Sequence, residues 1–137
     1  MRLSETLEEL RSLNEPVPQP FRLPTEAEVD AAEARLGISF PADYRRYLLE
    51  ASDVVLGTIE PAVVTPDAGH LDLVETARSA WDEMDVPRDL LPICEDNGDY
   101  YCLNARGEVV YWSHNGATDE RWPDLATWIQ EIWIAGG

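Results

Sequence analysis

The sequence predicts a single α+β domain, with helices first, then strands, then a closing helix. Three observations carry that expectation. At 137 residues the chain can build one substantial core but not two. Apolar residues recur at helical spacing in the first half and again near the C-terminus. Between residues 90 and 113, short β-favouring runs alternate with Asn97-Gly98 and Ala105-Arg106-Gly107 turns. A hydrophobic content of 45% with five tryptophans supplies core material and argues against a disordered chain.

The first segment, residues 4–13, spaces Leu3, Leu7, Leu10 and Leu13 on one helical face. Asn14-Glu15-Pro16-Val17-Pro18-Gln19-Pro20 then breaks the helix, and alternate prolines favour an extended, stiff connector. Residues 1–20 are therefore expected to form a helical arm and connector, and 21–137 the domain proper. A second helix is marked by the Thr25/Glu28 capping box, by Val29, Ala32 and Leu36, and by a stop at Gly37. Pro41 suits the first turn of a third helix, with Tyr44, Tyr47, Leu48 and Ala51 inward and Arg45, Arg46 and Glu50 outward. Residues 54–56 and 58–64 read as two short strands broken at Gly57. A fourth helix over 69–84 would bury Leu71, Val74, Trp81 and either Ala77 or the stem of Arg78.

Residues 90–94, 99–103 and 109–113 predict an antiparallel three-strand meander, the C-terminal part of an antiparallel-rich sheet packed by helices. The stretch 113–121 reads as a loop, and 124–134 as a helix turning Leu125, Trp128, Ile129, Ile132 and Trp133 inward. With Asn97-Gly98 as a two-residue turn, Cys94 lies opposite Tyr101 and Cys102 points to the other face, so the two thiols are expected to stay reduced.

Twenty-seven carboxylates face ten arginines and no lysine, a formal charge of −17. Such a chain repels nucleic acid and anionic lipid, which are held by cationic side chains, so neither is an expected partner. Two readings of the charge remain open, complementarity to a basic protein or a solvated acidic surface. No apolar run approaches the roughly 20 residues of a membrane-spanning helix. The N-terminus MRLSETLEELRSLNE carries carboxylates where a signal peptide needs a basic start, so a cytoplasmic location is expected.

Little in the sequence supports catalysis. His70 and His114 are far apart and no CxxC spacing exists, so no metal or cofactor is expected. Glu95, Asp96 and Asp99 crowd one turn, where shared solvation would not split their proton affinities as acid–base work requires. Ser113-His114 lacks a nucleophile elbow, and Gly57, Gly69 and Gly98 are too isolated for a phosphate loop. No enzyme is expected. The candidate partner-binding surface is the acidic tip Glu95, Asp96 and Asp99, with Trp112 and the loop carrying His114, Asp119 and Glu120. Plain turn chemistry explains the same acids, and core closure the same tryptophan. The helix surface with Glu75, Asp82, Glu83 and Asp85 is the second candidate.

Several pieces occur together in a telling order: Leu23-Pro24-Thr25-Glu26, Glu33, Leu36-Gly37, Phe40-Pro41-Ala42-Asp43-Tyr44-Arg45-Arg46-Tyr47-Leu48, Leu91-Pro92-Ile93, Gly98-Asp99-Tyr100-Tyr101-Cys102-Leu103 and Val109-Val110-Tyr111-Trp112. From Leu23 to Trp133 the chain resembles the SUKH superfamily, which contains Syd-like proteins and fungal cell-wall assembly regulators, while residues 1–20 lie outside the resemblance. The resemblance implies an α+β fold and a protein-binding role. Bacterial members are commonly immunity proteins that neutralise a toxin domain, many such toxins being nucleases with basic sites. A housekeeping adaptor binding a cellular complex is the alternative it leaves. It transfers no site residues.

Overall fold

The structure is a computed structural model that describes residues 2–136. Helix α1, Leu3–Ser12, buries Leu3, Leu7 and Leu10 together with Thr6, so three leucines of the expected stripe point inward. Leu13 does not. The helix has ended, and its side chain is 41% exposed. The start of the connector is stitched down instead: Glu15 N–H donates to Val55 O at 2.8 Å, and Val55 N–H donates to Asn14 Oδ1 at 2.8 Å.

Helix α2, Glu26–Leu36, begins at the capping box, with Glu28 N–H donating to Thr25 Oγ1 and Thr25 N–H donating to Glu28 Oε1. It ends on Gly37, whose φ of 69° is the left-handed conformation that favours glycine. Glu33 ties the next step together. Its Oε2 accepts from Phe40 N–H at 2.6 Å, and its Oε1 accepts from Arg45 at 2.9 Å. Pro41 occupies the N-cap position, one residue ahead of the first turn of helix α3, Ala42–Ala51, and Phe40 is buried edge-on to Tyr44 at 5.4 Å. Tyr44, Tyr47, Leu48 and Ala51 line the buried face.

The two strands expected over 54–56 and 58–64 do not form. Only single bridges occur, Leu56 with Ile59 and Val63 with Asp72. Gly57 at φ 61° reverses the chain after three residues, and Pro61 has no N–H for a ladder. The segment is fixed by isolated bonds: Ala62 N–H donates to Ile93 O, and Trp133 Nε1–H donates to Leu56 O at 3.1 Å. The single helix expected over 69–84 is also divided. Gly69–Leu71 form a 3₁₀ turn, then Asp72 adopts an extended conformation and caps helix α4, Leu73–Glu83, by accepting from Glu75 N–H. Leu71 is consequently only half-buried.

Strands β1 (Leu91–Asp96), β2 (Asp99–Leu103), β3 (Val109–Ser113) and β4 (Gly116–Trp122) form an antiparallel sheet in the order β1-β2-β3-β4. Cys94 pairs with Tyr101, as a two-residue turn requires. Cys94 and Cys102 join separate core clusters on opposite faces and are unbridged. Burial pushes the Cys94 thiol up to about 12. The fourth strand replaces the expected loop. Ala117-Thr118-Asp119-Glu120-Arg121 lacks an apolar alternation, and side-chain bonds hold its irregular pairing. Thr118 Oγ1–H donates to Tyr111 O at 2.7 Å, and Glu120 N–H donates to Thr118 Oγ1. Three residues, 118–120, face Tyr111 alone, a bulge that turns Asp119 and Glu120 outward.

One sheet face, with Ile93, Tyr101, Leu103 and Val109, packs into the core built by α1, α3 and the C-terminal helix. The other, with Tyr100, Cys102, Val110 and Trp112, meets Ala77, Ala80 and Trp81 of α4. The chain closes with helix α5, Leu125–Trp128, capped by Asp124 and continued by wider π-type turns over Ile129–Ile134. Trp128, Ile129 and Trp133 are fully buried there, while Ile132 is half-buried.

Candidate protein-binding surface

The meander places the Asn97-Gly98 turn and the His114-Asn115 turn at the same end of the sheet, and the 104–107 turn at the opposite end. Of the residues expected to face a partner, Glu95, Asp96, Asp99, Trp112 and His114 thus share one end, and Asp119 and Glu120 lie in the neighbouring edge-strand bulge. They do not share one face. Register puts Glu95, Tyr100, Trp112 and Ala117 in one cross-strand row. Asp96 and Asp99 belong to the alternate set, with Cys94 and Tyr101.

Asp99 is not the free carboxylate the turn suggests. It accepts from Tyr111 Oη at 2.7 Å and from His114 N–H at 2.8 Å, and His114 Nδ1 lies 2.9 Å from Oδ1. The Tyr111 bond first, then those from His114, hold its carboxyl below the usual aspartate range. Asp99 therefore braces the end of the sheet. Glu95 is exposed although its Oε1 accepts from Gly98 N–H at 2.9 Å, and Trp112 is half-buried against Tyr100 and Val110. Ser113 Oγ–H donates to Gly116 O at 3.1 Å and accepts from Asn115 N–H, so its contacts are those of a turn residue.

One residue the sequence did not single out, Glu60, extends this surface. A cavity of about 350 Å3 along the outer edge of β1 is lined by Thr58, Glu60, His70, Thr76, Glu95 and Asp96, among others. Glu60 and His70 join Glu95 and Asp96 only through the fold, being some 25–35 positions earlier in the chain. The one sequence signal was a gap: no arginine occurs between Arg46 and Arg78, or between Arg88 and Arg106.

Some acids elsewhere are partnered. Arg11 pairs with Asp53, Arg22 with Glu28, Arg45 with Asp30 and Glu33, Arg46 with Glu50, and Arg121 with Glu108. Among the described residues no arginine pairs with Glu60, Glu95, Asp96, Asp119 or Glu120. On the second candidate surface Glu75, Glu83 and Asp85 likewise have no arginine partner among the described residues. Asp82 there pairs with Arg88, whose guanidinium also lies 5.4 Å from the centre of the Trp81 ring. Among the described residues no group of three or more His, Cys, Asp and Glu side chains is placed to hold a metal ion, and no helix is long and apolar enough to cross a membrane.

A helix-packed antiparallel sheet with one acidic, arginine-free end defines a small α+β scaffold presenting turns and a cleft to solvent. The chain belongs to the SUKH family: the family model SUKH_5, described as SMI1-KNR4 cell-wall, matches residues 3–134, α1 and its connector included. It is similar to a protein of known crystal structure from Pseudomonas syringae pv. tomato, with 42% sequence identity over 96% of this chain and 98% of that one, and a TM-score of 0.91. No curated protein matches.

Proposed function

We propose that this chain is a non-catalytic protein-binding module of the bacterial cytoplasm, an immunity protein that binds and neutralises a basic, nuclease-type toxin domain. The observation that carries the proposal is the concentration of carboxylates without arginine partners at one end of the sheet. Glu60, Glu95 and Asp96 line the cleft along the outer edge of β1, and Asp119 and Glu120 are exposed on β4, the opposite edge of the sheet. Unpaired charge of one sign costs stability through self-repulsion, and a cationic partner converts that cost into binding. A toxin that binds nucleic acid must present a cationic site, which this end of the sheet complements.

The test is growth rescue. Cationic nuclease domains encoded beside this gene are expressed with and without the chain, followed by co-purification. Rescue with a stoichiometric complex supports the immunity role. Survival without a complex contradicts it, and recovery of a housekeeping assembly in place of a toxin would assign the chain an adaptor role.

A further inference from the structure

Beside the acidic cleft lies a second cavity of about 230 Å3 with an apolar lining that includes Phe21, Tyr47, Val55, Ile59, Pro61 and Leu71. The two cavities share Ile59, Glu60 and Leu71 as a common wall. Phe21, Val55, Ile59 and Leu71 are only half-buried, so the second cavity opens to solvent through an apolar rim. The shared wall is held from several sides. Val63 N–H donates to Leu71 O and Leu73 N–H donates to Val63 O, while Gly57 N–H donates to Glu15 Oε1 at 3.2 Å. At 230 Å3 the apolar cavity is smaller than the roughly 300–1,000 Å3 of sites for drug-sized ligands, and suits a single side chain.

We propose that the two cavities act as one bipartite docking site for an extended segment of the partner. A basic side chain enters the cleft of Glu60, Glu95 and Asp96, and a bulky apolar side chain from the same segment fills the neighbouring cavity. This rests on the protein-binding reading above and gives it a mode of recognition. Charge complementarity selects the occupant: the cleft presents three carboxylates and no arginine, so a cation is favoured there. The adjoining apolar cavity supplies the desolvated anchor that exposed charge does not.

The test is an NMR titration of the full chain with short glycine-serine peptides. One set carries an arginine and a phenylalanine at varied glycine spacings, a second replaces the phenylalanine with alanine, and a third replaces the arginine. The best arginine–phenylalanine peptide should bind at least about ten-fold tighter than either control. It should shift the amides of Val55, Ile59 and Leu71 together with those of Glu95 and Asp96. In Phe21→Ser, which alters the apolar cavity but not the shared wall and is verified as folded by its melting curve, that gain should disappear while arginine-only binding stays unchanged. If the paired peptide binds no tighter than the arginine-only peptide, and the latter still shifts Glu95 and Asp96, the bipartite site is overturned and the acidic-end reading survives. No response at Glu95 and Asp96 to any arginine peptide at low salt would overturn both.

Discussion

The Tyr111 hydroxyl donates to Asp99 Oδ2 at 2.7 Å, binding the middle of β3 to the first residue of β2. Because Asp99 Oδ1 also accepts from His114 N–H, one carboxylate joins two turns of the acidic end. Asp99→Ala should therefore lower stability, and Tyr111→Phe should cost about 1 kcal/mol in urea denaturation, the usual scale of a lost hydrogen bond. The effect carries a pH signature. A carboxyl held below its ordinary value contributes its full stability above that value and loses it as pH falls through the lower, folded value. The gap between wild type and Asp99→Asn should accordingly close as pH drops below about 4. A gap that persists in acid would mean that Asp99 acts only through packing.

Phe40 anchors the α2–α3 step from both sides, its N–H on Glu33 and its ring against Tyr44. Since Phe40 is buried in the main core, Phe40→Ala should cost about 3–5 kcal/mol. A loss below about 1 kcal/mol would remove the residue from the core account.

Net charge and local pairing act in opposite directions on acid stability. From pH 7 towards the pI near 4.2, protonation relieves self-repulsion and the melting temperature should rise. Below about pH 4 it should fall, because Asp99, Glu108 and Glu28 are carboxylates that the fold holds low, Glu28 to about 2 through its bond from Arg22. Added salt at pH 7 should raise the melting temperature, since screened repulsion outweighs exposed ion pairs of small individual worth. A melting temperature indifferent to salt would show that the charges are already compensated.

What could be read from the sequence was local chemistry. The Thr25/Glu28 box, the Gly37 stop, the Phe40-Pro41 step and the Asn97-Gly98 turn each need only a few adjacent residues, and each stands where expected. Strand β4 escaped because its pairing depends on the Thr118 hydroxyl and a bulge rather than on alternating apolar residues. Residues 54–64 are β-favouring in composition, yet Gly57 and Pro61 leave them only single bridges. The candidate surface was legible only in its composition. Its acids stood out by composition, but the bracing role of Asp99 and the approach of Glu60 and His70 to Glu95 are long-range facts of the fold. No periodicity encodes them.

The central claim is that the acidic end captures a cationic protein domain. Its most direct test is the association rate with the toxin domain recovered by growth rescue, measured by stopped flow at low and high salt. Wild type is compared with a Glu95→Arg, Asp96→Arg double variant, a pair that leaves Asp99 and its bracing bonds in place. The account predicts a rate that falls about ten-fold or more as salt screens the charges, and a reversed variant that melts nearly as wild type yet associates far more slowly. A rate indifferent to salt, or unaltered association by the folded reversed variant, would contradict it.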